Sequence, residues 1–409
     1  MTEIAHGDLS PAGEGEALLP RWWRTLDHGS LVATMLLVAL GLLLAFAASV
    51  PLAERNDLPP FHFVERQIVF AVVAVGVVIA LSMLSPKGVR RFGTILFAAA
   101  FLSLVLLPFL GTDYGKGAVR WYSLGFASLQ PSEFVKPGLM VVSGWMIAAA
   151  IDPHAPPGRL ISFFLMMLVV GLLVIQPDFG QSALVVISWA VVYFVGGGSL
   201  ALLIGIGLAG SIGMAVAYNL SEHFARRIDG FLTSEVDPNT QLAYALDAIR
   251  EGGLFGVGVG EGTVKQWLPD AHTDFVIAVA AEEYGLVLVL LVIALYLVII
   301  LRSLARLMRE RDPFIRNAGV GLVALLGFQA FVNMGVAVRL LPAKGMTLPF
   351  ISYGGSSLLA SAIVVGLLLA LTRSRPQGEL EVWLRRPLHA TPAGGGGISP
   401  AALVGRRSP

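Results

Sequence analysis

The sequence contains no cysteine and few charged residues. The absence of cysteine from its 409 residues excludes disulfide bonds, thiolate metal sites and a cysteine nucleophile. Charged residues make up 13% of the chain, whereas a soluble domain usually carries about 25%. The net charge is only +1, and no basic stripe is interleaved with aromatic residues. We therefore expect neither a soluble enzyme nor a nucleic-acid partner.

The chain is instead rich in long uncharged runs, and 56% of its residues are hydrophobic. Residues 30–53 carry no charge and exceed the ~20 residues that cross a hydrocarbon core as a helix. The pattern predicts an all-α polytopic membrane protein with about ten transmembrane helices. The predicted spans are residues 30–50, 67–84, 93–111, 133–150, 160–176, 181–197, 199–218, 274–301, 316–339 and 356–372.

The distribution of lysine and arginine predicts the orientation. With both termini in the cytoplasm, most of the 28 lysines and arginines fall on the inner side, as the positive-inside rule requires. Residues 29–375 then form the transmembrane domain, between a disordered cytoplasmic tail (1–28) and a low-complexity cytoplasmic tail (376–409). A large extracytoplasmic loop, residues 219–273, joins the seventh and eighth spans and contains an amphipathic stretch near 239–251. Loops of this length are usually functional.

Polar residues at membrane depth are costly and mark a path, a site or a packed pair. Glu133 and Lys136 share a helix face at the start of the fourth span, and Arg120 precedes them. A capped helix with an interfacial ion pair explains these residues as well as a substrate site does. The segment QPDFGQ, residues 176–181, joins the fifth and sixth spans with almost no loop, and Asp178 lies within it. Helix capping is the alternative to a functional role for Asp178.

The end of the large loop, EGGLFGVGVGEGTVKQWLPDAHTDF (251–275), is the richest polar segment. No βαβ unit surrounds its glycines, so a dinucleotide loop is rejected and a close-packed backbone near an extended ligand is favoured. Asp274 could be a general base at a helix start, and His272 a hydrogen-bond donor or phosphate partner. A surface turn with Asp274 as the helix N-cap is the alternative. For Glu282 and Glu283 we expect structural hydrogen bonds between helices.

The segment between the ninth and tenth spans, RLLPAKGMTLPFISYGGSS, combines cations with small polar residues. Arg339 and Lys344 supply positive charge, and Ser356 and Ser357 supply hydroxyl groups, which together suit a phosphate or diphosphate. A re-entrant loop that Lys344 anchors to lipid headgroups is the alternative. Taken together, the polar segments place carboxylates, cations and glycine loops on one face of the membrane, as expected for handling an anionic amphiphile.

Several of these segments resemble the hallmark segments of the SEDS family, the bacterial proteins of shape, elongation, division and sporulation. The resemblance covers about residues 28–375, and the segments occur in the expected order. The sequence around Phe350 and Ile351 is more similar to the division branch of the family than to the elongation branch. The segments are QPSEFVK (130–136), QPDFG (176–180), LPDAHTDF (268–275), AEEYG (281–285) and KGMTLPFISYGGSS (344–357).

The resemblance implies ten transmembrane helices, cytoplasmic termini and peptidoglycan glycosyltransferase activity. Lipid II, a disaccharide-pentapeptide on undecaprenyl diphosphate, would be polymerised into glycan strands at the outer face of the bacterial inner membrane during septal wall synthesis. Asp274 falls where the family has its essential aspartate, and the resemblance implies that it deprotonates the C4 hydroxyl of the acceptor sugar. Val119 stands where the family usually has a basic residue.

The resemblance also implies substrate contacts and a partner. Cations would offset the charge that develops on the diphosphate, and a divalent cation (Mg²⁺ or Mn²⁺) could assist, although no metal-ligand spacing stands out. The partner would be a class B penicillin-binding protein, an FtsI-like transpeptidase of the divisome. The candidate substrate-binding residues are Lys344, Lys136, Arg120, Arg339, Glu133, His272, Ser356 and Ser357.

Three other functions compete with septal polymerisation. A lipid II flippase or transporter would explain intramembrane carboxylates as a path, but no inverted repeat with paired broken helices is evident. A non-catalytic scaffold that positions the transpeptidase would tolerate loss of Asp274. The elongation paralogue RodA would perform the same chemistry at another site in the cell.

Overall fold

The protein is a helical bundle in the computed structural model, which describes residues 18–55, 57–113, 119–125, 127–152, 154–220, 222–232, 240–268, 270–342 and 345–374. Both predicted tails fall largely outside these residues, as does Lys344. Two short antiparallel strands, β1 (Tyr122–Ser123) and β2 (Ser128–Leu129), interrupt the helices. The helices are α1 Leu18–Thr25, α2 His28–Arg55, α3 His62–Ser82, α4 Pro86–Leu110, α5 Pro131–Ala149, α6 Gly158–Ile175, α7 Phe179–Val195, α8 Leu200–Leu220, α9 Glu222–Leu232, α10 Gln241–Gly252, α11 Val276–Leu307, α12 Pro313–Ala337 and α13 Gly355–Leu371.

Each predicted span coincides with one helix, from α2 to α8 and from α11 to α13. Among the described residues, seven helices are long and apolar enough to cross a membrane, and α7 and α13 are shorter apolar helices. The remaining helix, α5, carries Glu133 and Lys136 in its first two turns. The all-α polytopic membrane fold is confirmed, whereas the count of ten spans stays a prediction. The amphipathic stretch near 239–251 forms α10.

Helix α5 lies at the centre of the bundle, between α4 and α12. Most of its residues are buried, and two glycines allow its neighbours to approach closely. A Cβ atom on Gly138 would lie 2.8 Å from the backbone of Phe97, and one on Gly144 would lie 2.5 Å from the backbone nitrogen of Ala318. Small residues commonly permit this contact between membrane helices, where no hydrophobic effect drives association.

Helix α11 is broken near its N-terminal end, and the glycine-rich segment before it fills the break. Gly285 has a non-helical backbone with φ of 76°. The carbonyl of Glu282 accepts a hydrogen bond from the backbone N–H of Val257 at 2.8 Å, and that of Glu283 accepts one from Gly258 at 3.2 Å. On the other side of the break, the N–H of Leu286 donates to the carbonyl of Gly253 at 3.0 Å. The loop therefore satisfies backbone groups that a kink in a membrane helix would otherwise expose.

The glycines of this segment are required by the helix that they touch. A Cβ on Gly252 would lie 1.8 Å from the carbonyl oxygen of Ala281, and one on Gly256 would lie 2.1 Å from that of Glu283. The expected close packing of this backbone is therefore confirmed at these two positions, whereas a nearby extended ligand stays a prediction. The segment packs closely, but against the backbone of α11.

Replacing Gly256 by alanine should destabilise the protein more than the same change at Gly260. Both residues have positive φ, 82° and 84°, so each change carries a left-handed backbone penalty of about 1–2 kcal/mol. A Cβ at 260 meets open space, whereas one at 256 collides with the backbone of Glu283. Thermal unfolding of the two variants in detergent measures the difference. Equal midpoints would contradict the packing of this segment against α11.

Candidate active site

Asp274 lies in a tight turn just before α11. Its backbone N–H donates to the carbonyl of Asp270 at 3.0 Å, as does that of Thr273 at 3.1 Å. Asp270 has a φ of 55°. The N-cap of α11 is Phe275, so Asp274 precedes the helix and is not its N-cap. The side chain of Asp274 is half-buried, a position at which a carboxylate can meet both a substrate and the protein interior.

The segment 345–357 wraps around this turn. Asn333 donates from Nδ2 to the carbonyls of Asp274 at 3.0 Å and Met346 at 2.6 Å, which ties α12 to both segments. The hydroxyl of Ser352 donates to the carbonyl of Thr273. A Cβ on Gly345 would lie 3.1 Å from Oδ2 of Asp274. The carboxylate therefore lies where the turn and the 345–357 segment meet.

His272 belongs to an aromatic cluster at the same place. Its ring centroid lies 5.5 Å from that of Tyr353 and 5.9 Å from that of Phe63, at the start of α3. Its carbonyl accepts a hydrogen bond from the N–H of Tyr353 at 2.8 Å. Burial lowers the pKa of His272, and the Asp270 carboxylate opposes the shift. Burial therefore favours the neutral ring, which can serve a phosphate as an N–H donor.

Glu133 and Lys136 form a buried network with Gln181 and Gln329. The Lys136 ammonium, 1% exposed, lies 2.9 Å from Oε2 of Glu133, 2.7 Å from Oε1 of Gln181 and 3.3 Å from Oε1 of Gln329. Gln181 donates to Oε1 of Glu133 at 2.6 Å, and Gln329 donates to the carbonyl of Thr347 at 3.2 Å. All three donors of the lysine are committed within the protein. A direct contact of either charge with substrate stays a prediction that requires this network to rearrange.

Arg120 and Asp178 meet at the turn between α6 and α7. Arg120 donates from Nε to the carbonyl of Gln176 and from Nη2 to that of Pro177, both at 3.0 Å. Asp178 is the N-cap of α7 and accepts from the N–H of Gln181 at 3.4 Å. Burial raises the pKa of Asp178, and the charge of Arg120 opposes the shift. The arginine stabilises this turn, and a substrate contact by Arg120 stays a prediction.

The remaining candidates, in the segment between α12 and α13, have internal partners or lie outside the described residues. The hydroxyl of Ser356 donates to the carbonyl of Ser128 at 2.6 Å and accepts from the N–H of Gln130 at 3.2 Å. Ser357 is hydrogen-bonded to Thr347, and Arg339 donates to the carbonyl of Phe231 at 3.3 Å. Lys344 falls outside the described residues. The two serines connect the β-hairpin and the 345–357 segment to α13.

Glu282 and Glu283 are both buried, and their partners are in the glycine-rich loop rather than on another helix. Glu282 accepts from the backbone N–H groups of Val264 at 2.7 Å and Lys265 at 2.9 Å. Glu283 forms an ion pair with the ammonium of Lys265 and accepts from the N–H of Gly260 at 3.2 Å. The structural role expected for these carboxylates is observed, but their partners belong to the loop, because the loop packs against α11 at the break and bonds to its backbone there.

Sequence reasoning missed several polar residues that hold this region together. Gln329 and Asn333 are four residues apart in an apolar span, so they share a helix face, and polar residues at that depth could have identified them. Lys265 carries no comparable signal, because its partner Glu283 is distant in sequence. Among the described residues, no group of three or more His, Asp or Glu could hold a metal ion, so a role for a divalent cation stays an expectation of the resemblance.

Comparisons with known proteins agree with this architecture. The family model described as "Cell cycle protein" (FtsW, RodA and SpoVE) matches residues 28–377. A protein of Caulobacter vibrioides (strain NA1000 / CB15N) named "Probable peptidoglycan glycosyltransferase FtsW" is 42% identical over 356 residues, which cover 87% of this chain and 91% of the relative. A protein of Halorhodospira halophila with the same name is 38% identical over 380 residues, covering 87% and 94%.

Solved structures that resemble this chain belong to the same group of proteins. One described as "Structural coordination of polymerization and crosslinking by a peptidoglycan synthase complex" matches with a TM-score of 0.71 and 30% identity, over 86% of this chain and 98% of that chain. The rod shape determining protein RodA of Thermus thermophilus matches with a TM-score of 0.64 and 29% identity, over 87% and 99%. The chain belongs to the cell cycle protein family of FtsW, RodA and SpoVE, which is the SEDS family that its motifs resemble.

Proposed function

We propose that this chain is a peptidoglycan glycosyltransferase that polymerises lipid II into glycan strands, with Asp274 as its catalytic base. The observation that carries the proposal is the position of Asp274, a half-buried carboxylate in a turn whose backbone is held by Asn333 and the 345–357 segment. Held rigidly at a junction of segments, such a group can be presented to a substrate hydroxyl without reorganisation.

In the proposed reaction Asp274 accepts the proton of the C4 hydroxyl of the acceptor sugar. The oxygen attacks C1 of the second lipid-linked sugar, and the bond from C1 to the diphosphate oxygen breaks with its electron pair. Undecaprenyl diphosphate leaves, and inversion at C1 produces a β-1,4 bond. A positioned general base typically contributes 10²–10⁴-fold to such a step. The 345–357 segment includes Gly354, which has no side chain and can bring its backbone close to the substrate.

The proposed setting is the septum. The relatives at 42% and 38% identity are named FtsW, whereas the RodA structure is 29% identical, which favours the division branch over the elongation paralogue. The match to a peptidoglycan synthase complex that couples polymerization and crosslinking supports a penicillin-binding protein as partner. We propose an FtsI-like class B transpeptidase within the divisome, in the bacterial inner membrane, with both termini in the cytoplasm and Asp274 on the outer side.

The test is glycan-strand formation from labelled lipid II by the purified protein with its cognate transpeptidase, in the presence and absence of EDTA. We expect polymer that is resolved as a ladder on a gel, and loss of polymer with EDTA would indicate a divalent cation. In parallel, lipid II crossing is measured in vesicles that contain the protein. Crossing without any polymer would overturn the proposal in favour of a flippase, and neither activity would favour a scaffold.

A further inference from the structure

We propose that the end of the bundle opposite Asp274 binds the headgroup of an anionic phospholipid. The site consists of the short helix α1 and an arginine cluster, Arg302, Arg306 and Arg373. The inference goes beyond the proposed function, because it concerns neither lipid II nor catalysis. Asp274 precedes α11 and Arg302 lies in the last two turns of that helix, so about 40 Å of helix lies between them.

Two arginines of the cluster share one buried carboxylate. Asp27, between α1 and α2, is 0% exposed and accepts from Nε of Arg302 at 3.0 Å and from its Nη2 at 2.6 Å. Nη2 of Arg306 lies 3.2 Å from the same carboxylate, and its Nη1 donates to the carbonyl of Thr372 at 2.9 Å. A Cβ on Gly29 would lie 2.5 Å from Nε of Arg302, so the missing side chain lets the guanidinium lie against α2. The group keeps a net positive charge.

The guanidinium groups remain accessible although their carboxylate is buried. The side chains of Arg302 and Arg306 are 48% and 31% exposed. Among the described residues, Arg302 uses only Nε and Nη2 for its bonds, and a guanidinium has five N–H donors. The next carboxylates along the chain, Glu310 and Asp312, accept from backbone N–H groups of the turn before α12. Donors therefore remain for a phosphate, which arginine binds in a bidentate way.

Arg373 connects the cluster to α1. It donates from Nε to the hydroxyl of Thr25 on α1 at 3.0 Å and from Nη1 to the carbonyl of Met83, just after α3, at 3.3 Å. Both acceptors are neutral, so these bonds hold the arginine in place without cancelling its charge. The third arginine and α1 therefore lie at the same place in the fold.

Helix α1 offers an apolar surface beside these charges. One of its faces packs on the bundle, where Trp22 donates from Nε1 to the hydroxyl of Ser82 at 2.9 Å and Leu26 is buried. Leu19 and Trp23, four residues apart, share another face and are 63% and 52% exposed. Tryptophan favours the headgroup level of a membrane, and a short amphipathic helix places its apolar face at the acyl boundary. Basic pockets between membrane helices bind anionic headgroups such as that of cardiolipin, so one phospholipid can contact both surfaces.

The experiment titrates the full-length protein in neutral detergent with cardiolipin or phosphatidylcholine and counts bound lipid by native mass spectrometry. The variant Arg306→Gln with Arg373→Gln removes two charges, while Asp27 keeps Arg302. We expect cardiolipin to bind about 25-fold more weakly, since each arginine near a membrane surface contributes about 5-fold. Binding of phosphatidylcholine should not change.

The matched control removes two other arginines from the same end of the bundle. Arg90 lies 5.0 Å from the ring centroid of Trp145, and Arg159 donates to the carbonyl of Gly196 at 3.1 Å. Arg90→Gln with Arg159→Gln changes the net charge equally, so it should leave most of the cardiolipin binding. Equal losses in the two double variants would mean general attraction to a basic surface and would overturn the inference.

A second variant separates phospholipid from free phosphate. Trp23→Ser should weaken cardiolipin binding several-fold and leave binding of inorganic diphosphate, measured by calorimetry, unchanged. Diphosphate that binds as tightly as cardiolipin would assign the cluster to a soluble anion instead. A dimer in neutral detergent that Trp23→Ser dissociates would assign the exposed face of α1 to a second copy of the chain.

Thermal unfolding without added lipid completes the test. Wild-type midpoints with weaker cardiolipin binding would support the site. A lower midpoint of the Arg306→Gln, Arg373→Gln variant with unchanged cardiolipin affinity would make the cluster purely structural. Unchanged cardiolipin binding in both this variant and Trp23→Ser would contradict the inference. None of these measurements uses polymerisation, so their outcome is independent of the proposed function.

Discussion

Asp274→Ala is expected to reduce glycan polymerisation by about 10²–10⁴-fold, because the acceptor hydroxyl loses its general base. The fold should survive the change. The backbone of Asp274 keeps two hydrogen bonds that do not involve its side chain, with its N–H donating to Asp270 and its carbonyl accepting from Asn333. Single-turnover polymerisation of labelled lipid II measures the loss, and co-purification with the transpeptidase shows that the complex remains intact.

Two further variants separate the loss of the general base from a change in the size of the side chain. Asp274→Asn keeps the size of the side chain but cannot accept the proton, so it should be nearly as inactive as Asp274→Ala. Asp274→Glu keeps the carboxylate but moves it, and Gly345 leaves little room on that side, so we expect partial activity at most. Normal polymerisation by Asp274→Asn would exclude the base role. Wild-type growth of cells that carry only Asp274→Ala would support the scaffold function.

Removal of the Glu283 carboxylate should give the largest loss of stability. The Glu283 side chain is 0% exposed and that of its partner Lys265 is 5% exposed, so Glu283→Ala would leave an ammonium buried without its counter-charge. Breaking a buried ion pair from one side typically costs about 3–5 kcal/mol. The loop that fills the break in α11 would lose the Gly260 contact as well. Thermal unfolding in detergent, with limited proteolysis at the loop, measures both effects.

The double variant Lys265→Met with Glu283→Gln is the sharper test. It removes both charges while preserving side-chain volume, and a buried pair replaced by neutral groups is often close to neutral in stability. It should therefore be more stable than Glu283→Ala alone. The exposed pair Asp247–Arg250 is the matched control, and Asp247→Ala should change stability by less than about 0.5 kcal/mol. Equal losses for Glu283→Ala and Asp247→Ala would contradict the buried pairing.

The sequence was sufficient to predict a membrane protein, its family and the segments that contain the candidate site residues. Long uncharged runs predict membrane helices because the requirement is local, since about 20 consecutive apolar residues span the hydrocarbon core. The motif that contains Asp274 could also be found, because it is contiguous. The sequence also indicated that Glu133 and Lys136 share a helix face, since a spacing of three residues is a property of the helix itself.

Only the tertiary structure decided what these side chains touch. Lys136 on α5 contacts Gln181 on α7 and Gln329 on α12, and Lys265 of the glycine-rich loop pairs with Glu283 beside the break in α11. Hydropathy and spacing describe one segment at a time, whereas these contacts depend on how separate helices pack. Several cations that the sequence assigned to substrate, such as Lys136 and Arg120, are therefore bonded within the fold.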